Sequence, residues 1–369
     1  MKGLFKVVIT LTVLYLLSIC KTNAQVLQDS SSLELLKQGI SYVYNMQFDE
    51  ADKIYSKLHS QYSEHPVLLL FRGIETYWKN YPLIPSSPAC SSYEETLLKC
   101  IELSDDSNDT NKEAEYLLVN LCARGSLLSF YADNDLYMDV FSIATSTYKN
   151  VRRSFNFTNT YKDFFFFTGL YNYYREAYPK AHPTYKPLVY FFPKGNKVKG
   201  IKDLQTATSS IFLTAESNYF LSLIYSSYEN SSDQAMYFSK QLHDLYPANP
   251  DYTSMYIKNL LLLKRYNEAE DLIKESNTTI SNSYFNSEIY IYKGILQEKK
   301  YHDYASARKL YNTGIREIAA FGDYGNDVAA YSYFGLSRIS DISGDKYGKK
   351  IYRKKANELA YIKKINFDE

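Results

Sequence analysis

The sequence predicts an all-α fold: a right-handed solenoid of antiparallel helix pairs, about six or seven of them, whose inner groove is lined mainly by the first helix of each pair. Three observations carry this. Gly39 and Gly73 stand 34 residues apart, and so do Ala235 and Ala269 far downstream. A fixed period of that length is one helix–turn–helix unit repeated. Tyrosine is the outlier of the composition, 39 of 369 residues against a single tryptophan. Helix pairs use it to bury a ring while its hydroxyl reaches water or backbone. Period-two alternation is nowhere sustained, so strands are not expected.

The elements follow in order. Residues 25–31 form a polar leader. Helices run from about Leu33 to Lys79, with Gly39 and Ala51 giving close approach and Tyr42, Tyr55 and Leu58 filling the space beside it. Asp49 is the expected cap of the second helix, and His65-Pro66 opens the third. The prolines at 82, 85 and 88 interrupt the helices. Glu113–Ala132 and Tyr137–Phe155 read as a long pair. A helix near Tyr161–Tyr178 ends at Pro179, and an aromatic insert fills about 179–199. Gly200 to Tyr228 holds two helices, split near Thr214. Ala235, Ala269, the set Tyr290, Gly294, Ala307, Tyr311 and Gly314, and the set Tyr331, Gly335, Tyr352 and Ala356 mark the remaining units. Gly294 and Gly335 are 41 residues apart, so an insertion lies between them.

The 34-residue period, the small residues at helix contacts and the turn Arg265-Tyr266-Asn267-Glu268-Ala269-Glu270 resemble tetratricopeptide-repeat (TPR) proteins at both ends of the chain. The centre reads Gly169-Leu170-Tyr171-Asn172-Tyr173-Tyr174-Arg175-Glu176-Ala177-Tyr178-Pro179, then Pro193-Lys194-Gly195-Asn196 and Gly200-Ile201-Lys202-Asp203-Leu204. It is distantly similar to the tetratricopeptide-repeat domain 39 family, through bacterial secreted repeat proteins. That likeness covers roughly a third of the chain. It implies a shared architecture and no shared activity.

Residues 1–24 read as a secretory signal peptide. Lys2 and Lys6 precede an apolar run from Val7 to Ile19, too short for a comfortable span, and Thr22-Asn23-Ala24 is a small-residue cleavage site. Leu17-Ser18-Ile19-Cys20 resembles a lipobox, but Ile19 occupies a position that favours a small residue. Ordinary cleavage is therefore expected over lipoprotein anchoring at Cys20, with export to the periplasm or outer membrane. The leader takes three lysines and no acid, turning a net charge of +1 into −2. That balance argues against nucleic acid, which asks for a basic surface. Cys90, Cys100 and Cys122 remain. Either Cys90 and Cys100 pair across a loop–helix corner, or all three are buried thiols.

Catalytic signatures are missing. The histidines show no metal-ligand spacing, no His-Glu-x-x-His is present, and phosphate-binding glycine loops and Gly-x-Ser-x-Gly are absent. The chain is read as non-catalytic, without metal or cofactor. The strongest binding candidate is the insert, with four aromatics in the eight residues from Tyr185 to Phe192. As a plug it fills the superhelix. As an exposed platform it stacks on a partner or a sugar, or dips into a membrane interface with Lys186 and Lys194 at the rim. The expected contact set is Tyr171, Tyr174, Tyr185, Tyr190 and Phe192. The expected partner is a protein or peptide, with a glycan or lipid as the alternative. Phe164-Phe165-Phe166-Phe167 points to all sides of one helix and is read as buried. Glu176 is read as an anchor for the loop near Gly195 and Asn196. The Asn-x-Ser/Thr triplets at Asn108, Asn156, Asn230 and Asn277 are read as coincidence in an Asn- and Ser-rich chain.

Overall fold

The computed structural model describes residues 25–105, 112–181, 192–361 and 365–368. The leader with Cys20, and the insert residues Tyr185 and Tyr190, lie outside the described residues. The helices form eight antiparallel pairs among the described residues. These are α1 (Ser30–Tyr44) with α2 (Phe48–Tyr62), α3 (Pro66–Lys79) with α4 (Cys90–Asp105), α5 (Glu113–Asp133) with α6 (Tyr137–Ser154), and α7 (Phe164–Ala181) with α8 (Lys197–Ala207). They continue as α9 (Thr214–Ser227) with α10 (Ser232–Leu245), α11 (Pro250–Leu262) with α12 (Tyr266–Thr279), α13 (Ser283–Lys299) with α14 (Tyr304–Ile318), and α15 (Asn326–Ile342) with α16 (Lys346–Leu359). No strand occurs among the described residues. The array is an all-α solenoid.

The repeat markers sit where helices touch. A Cβ on Gly39 would lie 2.5 Å from the Phe71 ring, so only glycine lets α1 come this close to α3. Ala51, Ala235, Ala269, Ala307 and Ala356 are all fully buried on the second helices of their pairs. The slipped period between Gly294 and Gly335 is a 3-10 segment, Ala319–Gly325, inserted between α14 and α15.

Several local expectations need correction. The count of six or seven pairs was low by one or two, because pairs lacking the small-residue signature fold like the rest. Helix α2 starts at Phe48, behind Gln47, and Asp49 sits in its first turn, where its charge still meets the helix dipole favourably. Helix α7 continues through Pro179 to Ala181. A proline in the last turn removes one hydrogen bond near an end that frays anyway, and this one buries its ring. The Cys90–Cys100 pairing is overturned: all three thiols are free and buried. Both lie on α4, ten residues apart, and a rise of ~1.5 Å per residue separates them by far more than a disulfide spans. Burial pushes the Cys90 thiol up to about 11 and Cys100 to about 12, so neither is reactive.

Other expectations hold. His65 caps α3 with Pro66 in its first turn. The Phe164–Phe167 run packs into the core, with Phe165 half-buried. Helix α9 begins at Thr214.

The superhelix closes on itself. Asn249 caps α11 with its side-chain oxygen, which accepts from the amides of Asp251 and Tyr252. Its Nδ2 donates to the Tyr44 carbonyl at the end of α1, 3.1 Å away. Asn282 does the same one unit later: it caps α13 and donates to the Tyr81 carbonyl just beyond α3, 2.8 Å away. The ends of the first helices of the first two pairs thus abut the beginnings of the sixth and seventh pairs.

Candidate functional site

The closure is lined by aromatic rings. Tyr44 meets Tyr246 at 5.2 Å and Trp78 at 5.9 Å, edge to face. Trp78 stacks on Tyr81 at 5.2 Å and meets Tyr252 at 5.3 Å. Tyr81 continues to Tyr284 at 6.0 Å, and Tyr284 to Tyr324 at 5.2 Å. Such edge contacts add about 0.5–1.5 kcal/mol each beyond burial.

Beside this seam lies a space walled by first helices. Tyr77 of α3, Glu216 and Tyr219 of α9, Asp251 and Lys258 of α11, and Tyr324 keep part of their surface open, and Asp133 at the end of α5 is exposed. Yet the protein around them raises Tyr77, Asp133, Glu216, Tyr219 and Asp251 above their ordinary values, chiefly by desolvating their charged forms. A side chain that protein surrounds but does not cover faces a narrow lumen, not the outer surface.

The lumen gathers acids. Burial and the charge of Asp251 push Asp133 up to about 7. Burial pushes Asp251 to about 6, and Lys258 holds it lower than burial alone would. Glu216 rises to about 7 through burial, while the Tyr44 hydroxyl donates to its Oε1 and opposes the rise. Glu288, on α13, rises to about 8 through burial and the charge of Asp251, while a hydrogen bond from Ser254 opposes the rise. Glu216 and Glu288 each keep a buried Oε2 with no hydrogen-bond partner among the described residues. No group of three His, Cys, Asp or Glu side chains converges to hold a metal ion among the described residues. The arrangement offers ring faces and acceptor oxygens.

Glu288 makes stability pH-dependent. Its folded-state value lies above the ordinary 4.5, so the folded chain binds more protons between those values. Stability is then greatest below about 4.5 as regards this group and declines as pH rises to about 8. Glu288→Gln should stabilise the chain by roughly 4 kcal/mol at pH 8 and leave it nearly unchanged at pH 4.5. Urea melts at the two pH values measure this. Equal gains at both would assign the effect to packing.

Of the residues expected from the sequence, the described ones, Tyr171, Tyr174 and Phe192, do not form one patch. Tyr171 turns toward α6, with Tyr148 at 6.1 Å and Phe155 at 5.9 Å, and its hydroxyl donates to the Pro193 carbonyl at 2.7 Å. Phe192 joins it through Tyr148, at 4.8 Å, and leaves 38% of its surface exposed. Arg175 donates to the Phe192 carbonyl at 2.8 Å, and Glu176 accepts from the Lys197 amide at 2.9 Å. The anchoring role of Glu176 therefore holds, one residue beyond Asn196. Tyr174 turns elsewhere, against Tyr173 at 5.2 Å and Tyr228 at 5.6 Å.

Sequence reasoning missed the lumen. Its available signal was Tyr284, Glu288 and Tyr292, an acid four residues from a tyrosine on either side, hence on one helix face. No family model matches the chain, and none of the curated proteins matches it.

Proposed function

We propose that this chain is a non-catalytic scaffold of the tetratricopeptide-repeat kind, exported to the bacterial envelope, and that its lumen holds an extended peptide segment of a partner protein. The observation that carries the reading is the lumen itself: tyrosine rings and unpaired carboxylate oxygens turned inward, from helices far apart in sequence. Rigid amphipathic rings give contact area at small entropic cost, and unpaired acceptors give a ligand's donors a reason to enter. Export rests on the leader at 1–24. Phe192, half-exposed at the close of the insert, favours a second reading, a glycan stacked on that ring and Tyr148.

Peptide and glycan arrays probed with the full chain test this. Peptide binding is expected, and Tyr219→Ala should weaken it while the helical circular dichroism persists. Phe192→Ser should leave it unchanged. Binding to glycans alone, lost in Phe192→Ser, overturns the peptide reading.

A further inference from the structure

Four carboxylates, Asp133, Glu216, Asp251 and Glu288, share the lumen with one lysine, Lys258. They reach it from α5, α9, α11 and α13, so no single surface stretch accounts for them. Glu288 is 5% exposed, and its Oε2 has no donor. A buried carboxylate oxygen left without a partner costs stability, and a fold that keeps one holds a place for a donor. The carboxylates do not converge as a metal ion requires. They are spread along a wall of phenol rings, whose faces attract cations. Spread carboxylates among ring faces match a chain of ammonium groups.

We propose that the lumen binds alkylammonium groups, carried by lysine side chains of an extended peptide or by a free polyamine, with Asp251 and Glu288 as the anions and Tyr77 and Tyr219 as the ring faces. The proposal names the ligand class of the peptide site above and rests on that reading where the source is a peptide. An entering ammonium supplies a donor to Glu288 Oε2, beside the one that Ser254 gives the carboxylate, and favours the ionised carboxylates. Glu288 is faced by Asp251 and Lys258 of α11, Tyr219 of α9, Tyr81 beyond α3, and Tyr284 and Tyr292 of its own helix. The rings of this set hold their protons, because burial raises every one of these tyrosines. The carboxyls therefore carry the titration: Asp133 and Glu216, which burial also raises, and the two anions of the site, Asp251 and Glu288. Both are pushed above the ordinary carboxylate range, so binding near neutral pH releases protons and tightens as pH rises.

Trp78 is the single tryptophan of the chain, and it touches Tyr81 and Tyr252 at the lumen wall. Its fluorescence reads the titration directly. The full chain is titrated with trilysine, with its fully acetylated form and with spermidine, at pH 5.5 and pH 8. Calorimetry in two buffers of different ionisation enthalpy counts released protons. Trilysine or spermidine should bind saturably, about tenfold tighter at pH 8 than at pH 5.5, with proton release. The pair Asp251→Asn and Glu288→Gln should weaken binding by at least about tenfold. That pair removes buried charge, so its fold should persist, and circular dichroism checks it.

Spermidine binding without trilysine keeps the cation site and overturns the peptide reading. Binding of acetylated trilysine alone keeps the peptide reading and overturns the cation site. Equal binding by the neutralised pair, or no binding by any of the three, overturns the cation site as well.

Discussion

Arg338→Met lowers stability by about 3–5 kcal/mol. Arg338 lies on α15 and clasps Glu298 of α13 with two hydrogen bonds, Nε to Oε1 at 2.6 Å and Nη2 to Oε2 at 2.9 Å. The Tyr311 hydroxyl of α14 donates to the same Oε2 at 2.6 Å. Glu298 is 4% exposed. Without the guanidinium its charge stays buried with one phenol and, 3.8 Å off, the ammonium of Lys299. Arg338 also reaches Asp368 at 3.0 Å, so the last described residues loosen with it. Urea unfolding measures the loss. Adding Glu298→Met should recover much of it, since a buried pair costs most when one member is left behind. A loss under about 1 kcal/mol from Arg338→Met would mean that water reaches Glu298 freely.

Gly200→Val destabilises by about 3 kcal/mol or more. A Cβ at Gly200 would lie 2.6 Å from the Tyr173 amide nitrogen and 2.8 Å from the Gly169 carbonyl oxygen. Both are backbone atoms of α7, and backbone does not swing aside as a side chain does. Helix α8 would have to move away, pulling the Lys197 amide from Glu176. The comparison is Gly125→Ala, where an added Cβ meets nothing within 4 Å. That change should be neutral or slightly stabilising in the same melts, since alanine is the better helix former. Equal effects at the two positions would sink the argument from close approach.

The parts of the fold legible in the sequence are those set by local packing. Gly39, Gly73, Ala235 and Ala269 betray the period because a helix contact forbids a large side chain there. His65-Pro66 betrays a helix start because capping needs a side-chain acceptor and a proline tolerates the first turn. The closure was not legible. Asn249 and Asn282 read as ordinary helix caps, and nothing local shows that the other side of each amide serves a carbonyl some 200 residues earlier. The lumen acids were hidden for the same reason. Asn286-Ser287-Glu288 resembles a solvated helix face until α11 and the Tyr81 loop cover it. Among the expected contact residues, Tyr171 and Phe192 both reach Tyr148 because a strap of hydrogen bonds joins α7 to residues 192–197. Tyr174 is three positions on, and a helix turns by about 300° over that step, enough to send the ring to another neighbour.

The two bifunctional asparagines also govern the order in which the chain folds. An open helical array touches only its neighbours and assembles from any point outward. Here the bonds of Asn249 and Asn282 span 205 and 201 residues. Closing loops of that length costs entropy before any contact rewards it, which slows the step that needs it. Neighbouring pairs therefore form before the closure, and the two ends meet last. The ring network around Trp78 is completed only in that final step, so refolding should restore helical signal early and tryptophan fluorescence late. Ends that finish together also unfold together, and the terminal units gain a cooperativity that a free-ended array denies them.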